Sequence, residues 1–270
     1  RGFPLSDYVN QVFCNGEDLL KGRQMPCHYG DKRVNYVTLS SNIATQLPHA
    51  VGVAMAQKLR GTGELTIGYM GDGATSEADF HVAMEFASRL SAPVLFFCQN
   101  NQWAISTGWE KQTAAPSLAS KAHGYGMDGY RVDGNDILAV YEATRHAAQQ
   151  IRETGRPVFI EALTYRVGAH STSDDPSRYR DESITKQWEK KDPIARFKNT
   201  LIELGLWSEE QDEALLNEYT EQIKAEIKRA EAVGPPDIGT LFEEVYADVP
   251  AHLIEQKEAL IATLNTRKEH

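Results

Sequence analysis

The sequence predicts an α/β protein with a doubly wound, mostly parallel sheet and a helical C-terminal tail. Two observations carry this prediction. Short runs rich in β-branched and aromatic residues alternate with longer segments of helical periodicity, and the short runs are almost continuously apolar. Strands that are apolar throughout are typical of parallel sheets covered by helices on both faces. The chain has 270 residues, 41% of them hydrophobic, which is enough for a substantial core.

The predicted elements follow one another in a β-α-β rhythm. Strands are expected at 34–39, 65–70, 93–99 and 157–165. Helices are expected at 43–59, 76–90 and 136–154. The helix at 76–90 is expected to begin with Thr75 or Ser76 as its cap. Its apolar residues recur at helical spacing, which indicates a core-facing stripe of Phe80, Ala83, Met84, Ala87 and Leu90.

The C-terminal part has a different character. The polar, charged segment 171–183 predicts a surface loop, and the chain from 192 onward predicts helices. A helix near 208–231 is expected to pack through a stripe of Leu216, Tyr219, Ile223, Ile227 and Ala230. We therefore expect an α/β domain at 1–190 and a helical extension at 191–270, packed on the same domain or on partner subunits. The pattern at Arg1 already resembles the middle of a helix, so a preceding segment is expected.

Composition excludes several classes of partner. The net charge of −10 disfavours binding to nucleic acid or to an anionic membrane surface, and the sequence shows neither a secretion signal nor a membrane span. Cys14, Cys27 and Cys98 are odd in number and lack a paired spacing, which favours reduced thiols in a cytoplasm-like compartment. Cys98 lies in an apolar run and is expected in the core.

The segment from Gly71 to Ser106 carries the strongest chemical signal. It places Asp72 between two glycines before a helix, and Asn101 follows the next apolar run. Glycines let the backbone approach a ligand closely, and the start of a helix favours anions. A carboxylate and an amide oxygen at the carboxyl edge of a sheet suit Mg²⁺ bound to a diphosphate. A Gly-Asp-Gly triplet alone is weak evidence, but the whole composite is specific.

Several motifs resemble one family. GDGATSEADF and QNNQWAIST resemble the thiamine-diphosphate-binding signature, and their context resembles the α subunit of 2-oxo acid dehydrogenases. The other matching pieces are GRQMPCHYG at 22–30, SSNIATQLPHAVG at 40–52, YRVDGND at 130–136 and YRVGAHSTSDDPSRYR at 165–180. GRQMP and HSTSDDPSRYR are most similar to the branched-chain members, with pyruvate members next. The resemblance covers nearly the whole chain and implies the thiamine-diphosphate-binding fold.

The resemblance implies individual roles around the cofactor. Mg²⁺ would be bound by Asp72, the side chain of Asn101 and the main-chain carbonyl of Trp103. Further cofactor contacts are implied for Ser41, Ile43, Gly73, Ala74 and Ala104. Gln99 stands where some relatives carry an arginine that can contact phosphate, so one charge-assisted contact would be missing or supplied elsewhere.

A second cation site is implied beside the first. Ser40, Thr45 and Gln46 match positions that in some members hold a monovalent cation such as K⁺. Asn42 replaces the usual proline there, although a main-chain carbonyl ligand would survive the change. The alternative is that Thr45 and Gln46 only cap or line the start of a helix, and the sequence leaves both interpretations open.

His170 matches the active-site histidine of the family. The resemblance implies that it moves protons or stabilises charge during acyl transfer to a lipoyl group, which suits an imidazole near neutral pH. The surrounding residues match a loop that receives the lipoyl domain: Arg166, Asp174, Asp175, Tyr179 and Arg180. Ser171 matches a phosphorylation site of mitochondrial relatives. The alternative is a solvated loop with exposed ion pairs. His28 is expected to be structural.

The implied function is thiamine-diphosphate-dependent oxidative decarboxylation of a branched-chain 2-oxo acid, with acylation of a lipoyl-bearing acyltransferase. A β subunit, in an assembly of two α and two β chains, would supply the activating glutamate. Pyruvate or acetoin dehydrogenase and a transketolase-like enzyme are alternatives, and a non-catalytic or truncated assembly subunit is one from another class. The expected location is the bacterial cytoplasm or the mitochondrial matrix.

Overall fold

A computed structural model describes residues 1–268, which form two compact units. One unit is Ser40–Glu209, and the other combines Arg1–Leu39 with the chain from Glu210 onward. The expected boundary between 190 and 191 stays a prediction. In the part of the chain that the structure describes, no helix combines the length and the apolarity that a membrane span requires.

The unit Ser40–Glu209 is built around a parallel sheet. The strands of the chain are β1 Thr66–Gly71, β2 Val94–Asn100, β3 Trp103–Ala104, β4 Thr107–Gly108, β5 Asp128–Asp133 and β6 Val158–Leu163. Four of them form one sheet in the order β1-β2-β6-β5, and every neighbouring pair in it is parallel. The short β3 and β4 pair separately as an antiparallel hairpin.

Helices cover both faces of this sheet. The helices of the chain are α1 Leu5–Phe13, α2 Gln46–Arg60, α3 Ala78–Leu90, α4 Ile137–Thr154, α5 Glu182–Glu189, α6 Pro193–Glu203, α7 Glu209–Glu231, α8 Thr240–Glu243 and α9 Ala251–Lys268. One core contains buried residues of α2 and α3 with Phe96 and Phe159 of the sheet. A second core joins Ile151 of α4 to Leu95 and Ile160. The predicted doubly wound α/β class is therefore confirmed.

Three of the four predicted strands are confirmed as β1, β2 and β6, and the predicted helices correspond to α2, α3, α4 and α7. The strand predicted at 34–39 is wrong. Asp31 accepts a hydrogen bond from the Arg33 amide and caps a 3-10 helix at Lys32–Val34, and Asn35 then turns the chain with a φ of 51°. A bridge between Asp31 and Tyr36 closes this tight turn, so the apolar residues never extend into a sheet.

Strand β5 was not predicted, because its sequence DGYRVD is too polar to resemble a buried strand. It lies at the edge of the sheet. Strand β1 occupies the other edge, and the expectation that it is covered on both faces is wrong. Ile67 and Tyr69 on one face are exposed, whereas Met70 on the opposite face is buried.

The predicted cap of α3 is also wrong. The helix begins at Ala78 with Glu77 as its N-cap residue, because the chain from Asp72 to Ser76 first forms a 3-10 helix. Its core stripe is confirmed except at Leu90, which is exposed. On α7 only Ala230 of the predicted packing stripe is buried, and the other four members are exposed.

Candidate functional site

The carboxyl ends of β1, β2 and β6 bring the signal residues to one edge of the sheet. Gly71 at the end of β1 pairs with Gln99, and Asn100 at the end of β2 pairs with Leu163 of β6. Asp72 and Asn101 directly follow β1 and β2. This is the edge at which open parallel sheets bind ligands. The same rule underlies the sequence prediction that the Asp72 and Asn101 side chains converge there.

Asp72 is the buried acid of this edge, with 1% of its surface exposed. The Gln112 side-chain amide donates to Asp72 Oδ2 at 2.8 Å. Burial raises the pKa of Asp72, while the hydrogen bond from Gln112 and the backbone N–H of Asn101 act in the opposite direction. The charge of Arg166 also lowers this pKa, and a buried carboxylate of this kind is suited to bind a cation.

The turn that carries Asp72 is supported from behind. The Thr75 hydroxyl donates to the Asp72 carbonyl at 2.9 Å. Lys121 Nζ donates to both the carbonyl and the hydroxyl oxygen of Thr75, each at 3.0 Å. These bonds fix the backbone of the 3-10 helix, so the carboxylate is presented by a rigid turn.

Gly73 lies where this turn meets the β3–β4 hairpin. A Cβ on Gly73 would lie 2.9 Å from the Cβ of Ala104, closer than side chains pack. Glycine is therefore required for the close approach of the two backbones. Ala74 is buried beside it.

Asn101 and Trp103 supply neutral oxygens. Asn101 Oδ1 accepts the backbone N–H of Trp103 at 3.1 Å, and the Trp103 carbonyl accepts Arg166 Nη1 at 3.2 Å. Each oxygen keeps a second lone pair. No three His, Cys, Asp or Glu side chains cluster as metal ligands within residues 1–268, so a metal here would need one carboxylate and neutral oxygens. That donor set fits Mg²⁺ with a diphosphate.

The candidate monovalent-cation residues form a small cluster of oxygens. Ser40 Oγ and Thr45 Oγ1 are 3.1 Å apart, and Thr45 Oγ1 donates to the Asn42 carbonyl at 3.0 Å. The Gln46 side chain donates to the carbonyl of Tyr69 on β1 at 2.8 Å, while its buried Oε1 has no hydrogen-bond partner. An unpartnered buried oxygen fits a cation ligand.

The loop after β6 is organised around Asp174. Tyr179 Oη donates to Asp174 Oδ2 at 2.6 Å, and the backbone N–H of His170 donates to the same oxygen at 2.8 Å. The hydrogen bond from Tyr179 is the main cause that holds the pKa of Asp174 below its usual range. Arg166 Nη2 donates to Tyr179 Oη at 2.9 Å and to the carbonyl of Ile105 at 2.6 Å. These bonds tie the loop to the hairpin that carries Trp103.

The remaining loop residues have different environments. Arg180 Nη1 donates to the carbonyl of Arg166 at 2.5 Å, so it braces the base of the loop. Asp175 caps the 3-10 helix Pro176–Arg178. Ser171 Oγ lies 3.3 Å from Ser173 Oγ at the surface. His170 is exposed, and its backbone N–H donates to Asp174, which Tyr179 and Arg166 connect to the hairpin.

The remaining predicted residues differ in their exposure and surroundings. Ile43 and Ser41 are exposed, and Ile43 is 61% exposed. Gln99 lines a cavity of about 520 Å³ together with Gly71 and Thr164. His28 Nδ1 lies 3.3 Å from Gln24 Oε1, consistent with a structural residue. Cys98 is fully buried, as expected, and the three thiols are free.

Gln112, Lys121 and Glu161 belong to the site but are not predicted from the sequence. Gln112 and Lys121 lie 40 and 46 residues from the residues they contact, and neither belongs to a motif. Glu161 gave a signal that was not used, since it is a lone acid within the apolar run of β6. It is completely buried and hydrogen-bonded to Asn100.

Comparisons with known proteins identify the family of the chain. A family model described as "Dehydrogenase E1 component" matches residues 1–238. The chain is 47% identical over 266 residues to "2-oxoisovalerate dehydrogenase subunit alpha, mitochondrial" of Dictyostelium discoideum, covering 98% of this chain and 60% of that protein. The proteins of the same name from Caenorhabditis elegans and Homo sapiens are 44% and 43% identical, with 100% of this chain and 63% and 61% of theirs covered. The chain thus spans about 60% of the length of these curated relatives.

Proposed function

This chain belongs to the dehydrogenase E1 component family, and we propose that it is the α chain of a thiamine-diphosphate-dependent enzyme that decarboxylates branched-chain 2-oxo acids. The observation that carries the proposal is the convergence of a buried Asp72 with Asn101 and Trp103 at the carboxyl edge of the sheet. The branched-chain substrate is supported by relatives whose printed name is 2-oxoisovalerate dehydrogenase.

The cofactor would be held at its diphosphate end. Asp72, Asn101 Oδ1 and the Trp103 carbonyl would hold Mg²⁺, which would offset the negative charge of the diphosphate. Gly73, Ala74 and Ala104 would contact the diphosphate through their backbone, since none of them presents a bulky side chain that would keep the phosphates away. Ser41, Ile43 and Gln99 are assigned to further cofactor contacts. Ser40, Asn42, Thr45 and Gln46 would hold a monovalent cation, K⁺ being the expected one.

When bound, thiamine diphosphate supplies an electron sink for loss of CO₂ from the 2-oxo acid. Among the residues of this chain, we assign His170 to moving a proton at an imidazole nitrogen during acyl transfer. The Asp174 carboxylate holds the His170 backbone in place, and Tyr179 and Arg166 connect that carboxylate to the hairpin. The loop would thus set the position of His170 relative to the metal ligands.

The same loop would receive the lipoyl-bearing acyltransferase. Ser171, Arg178 and Asp175 are exposed at its surface and offer charged and hydroxyl groups to a docking domain. Ser171 would also be the site of any phosphorylation control. The carrier would deliver the lipoyl group to the edge of the sheet where Trp103 and His170 lie.

A β subunit would complete the active site, in an assembly of two α and two β chains. The residues assigned here contact the diphosphate end, and the resemblance assigns the glutamate beside the aminopyrimidine to the β subunit. We place the protein in the mitochondrial matrix if its source is eukaryotic, and in the cytoplasm if its source is bacterial. The first alternative is supported by eukaryotic relatives that are named mitochondrial.

Mixing the chain with its cognate β subunit should create thiamine-diphosphate-dependent decarboxylation, measured as release of CO₂ from 3-methyl-2-oxobutanoate. Pyruvate should be turned over with a lower kcat/KM, because it lacks two carbons of the branched acyl group and each missing methylene costs about 1–3 kcal/mol in a pocket. The Asp72→Ala chain should remain inactive with the same β subunit, while Glu77→Ala, which removes an exposed acid five residues later, should be active.

Robust turnover by the purified chain alone would contradict the proposal, and so would full activity of Asp72→Ala. A higher kcat/KM for pyruvate would instead favour a pyruvate dehydrogenase component, and acetoin as substrate can be tested in the same panel. Binding to the β subunit without any turnover would indicate a non-catalytic assembly subunit.

A further inference from the structure

A completely buried carboxylate lies in the middle of the sheet, outside the proposed metal ligands. Glu161 is on β6 and is 0% exposed. Its Oε1 accepts the side-chain amide of Asn100 at 2.7 Å, and its Oε2 accepts the backbone N–H of Ala119 at 2.9 Å. The nearest cationic group is Arg131 Nε, 3.6 Å from Oε1 on a half-exposed side chain. Burying a charge with so little compensation is costly, so its retention needs a reason.

One side of Glu161 is connected to the hairpin that carries two proposed ligands. Asn100, itself 0% exposed, accepts the backbone N–H of Gln102 through Oδ1 at 3.0 Å. Gln102 has a φ of 70°, a left-handed conformation that non-glycine residues adopt at an energetic cost. The hydrogen bond from its N–H to Asn100 therefore holds a strained turn. That turn lies between Asn101 and Trp103, whose oxygens would face the metal.

The other side of Glu161 is connected to the turn that carries Asp72. The amide of Ala119 opens a 3-10 helix at Ala119–Tyr125, which contains Lys121. Lys121 donates to Thr75, and Thr75 donates to the carbonyl of Asp72. One carboxylate thus anchors both backbone segments that would supply ligands to the ion.

We propose that Glu161 is a positioning residue that sets the spacing between Asp72 and the Asn101–Trp103 hairpin. This inference rests on the proposed function, because it takes these residues as the metal ligands. Glu161 would not contact the ion or the diphosphate. It would act by keeping the two backbone segments at the distance that an octahedral ion requires, and Mg²⁺ tolerates little deviation from that geometry.

The chemistry of the site makes Glu161→Gln a specific test. Both neighbours of the carboxylate, the Asn100 amide and the Ala119 N–H, are donors. A glutamine offers one acceptor oxygen and one donor NH₂, so one neighbour must face a donor in either rotamer. The substitution therefore breaks one link while it conserves the volume of the side chain. Asn100→Ala breaks the hairpin link from its other end and leaves the bond to Ala119 intact.

The experiment uses the complex of this chain with its β subunit, and Mn²⁺ is the probe in the presence of thiamine diphosphate. The Mn²⁺ dissociation constant and the electron paramagnetic resonance line shape of the bound ion are measured. Glu161→Gln and Asn100→Ala should each raise the dissociation constant about 10- to 100-fold, the range typical of residues that orient metal ligands, and broaden the spectrum. Where the glutamine oxygen stays on the Ala119 N–H, both changes break the link to Asn100, and the double variant should then lose little more than the larger single effect.

Arg131→Gln is the matched control, because it removes the other partner of Glu161 without touching either ligand segment. Its Mn²⁺ affinity and line shape should match the wild type. The inference would be overturned by unchanged Mn²⁺ affinity in Glu161→Gln, or by a loss of affinity no larger than that of Arg131→Gln. A loss of Mn²⁺ affinity in Asp72→Ala would still uphold the proposed function. If Glu161→Gln fails to fold, Asn100→Ala decides by the same criteria. Unchanged Mn²⁺ binding in Asp72→Ala would overturn both.

Discussion

Gly73 faces Ala104 across a narrow gap of the proposed metal site, where the turn after β1 meets the β3–β4 hairpin. The gap leaves no space for a Cβ, since that atom would lie 2.9 Å from the Cβ of Ala104. Both contacting atoms are close to the backbone, so neither can rotate away. A side chain here must push the two backbone segments apart, and these segments also carry Asp72 and Trp103.

Gly73→Ala should therefore lower Mg²⁺-dependent binding of thiamine diphosphate in the assembled enzyme by at least about tenfold. We expect a loss of stability of roughly 1–3 kcal/mol, as for other overpacked sites. Calorimetric titration and thermal unfolding measure the two effects. Gly52→Ala is the control, because Gly52 lies on an open surface of α2 where a Cβ meets nothing. Wild-type binding by Gly73→Ala would show that the segments can separate without harm.

Individual residues of the site were predictable to different extents. Asp72, Gly73 and Asn101 belong to one contiguous motif, so the sequence identifies them together. Gln112 has no such context, because its contact with Asp72 exists only after the chain folds back over 40 residues. Glu161 lies between these cases: it stands out in the sequence as a lone acid in an apolar strand, but it was not predicted as a functional residue.

At the scale of elements, prediction succeeded where burial imposes a pattern. Strands β1, β2 and β6 are apolar and were found, whereas β5 at the edge is polar and was missed. The segment 34–39 shows the opposite error: its apolar residues resemble a strand, but Asp31 and Asn35 impose a turn locally. Capping and turn chemistry thus prevailed over apolarity.

The loop after β6 is held by side chains rather than by regular structure, so single hydrogen bonds decide its order. Tyr179→Phe removes the hydroxyl that donates to Asp174 and accepts from Arg166. Loss of about 1 kcal/mol should raise the open population of the loop about fivefold. Cleavage by trypsin after the exposed Arg178, followed by mass spectrometry, should accelerate by a similar factor. Tyr141→Phe, on the exposed face of α4, should cleave at the wild-type rate. Equal rates in both variants would contradict the role of Asp174.

At the scale of the whole molecule, the proposed site is one-sided, which means that its residues act on one end of the cofactor. The metal ligands, the narrow gap at Gly73 and the loop around Asp174 all concern the diphosphate end of the cofactor and the acyl transfer that follows. The unit Ser40–Glu209 contains all of these residues. Sequence analysis reached this division through the family resemblance, because no periodicity or composition shows which half of a ligand a site contacts.

A one-sided site predicts a particular ligand preference. The chain alone should bind Mg²⁺-pyrophosphate and Mg²⁺-thiamine diphosphate with dissociation constants within about threefold of each other, because the metal ligands and the turn around Gly73 act on the diphosphate that the two ligands share. With the β subunit present, thiamine diphosphate should bind at least about 100-fold more tightly than pyrophosphate. At equal, saturating concentration, thiamine diphosphate should therefore stabilise the assembly by roughly 2.7 kcal/mol more than pyrophosphate does, and thermal unfolding can measure this difference. Asp72→Ala should weaken both ligands equally in both states. A strong preference of the isolated chain for thiamine diphosphate would show that it also binds the organic part of the cofactor, and the proposed division of the site between two subunits would then be wrong.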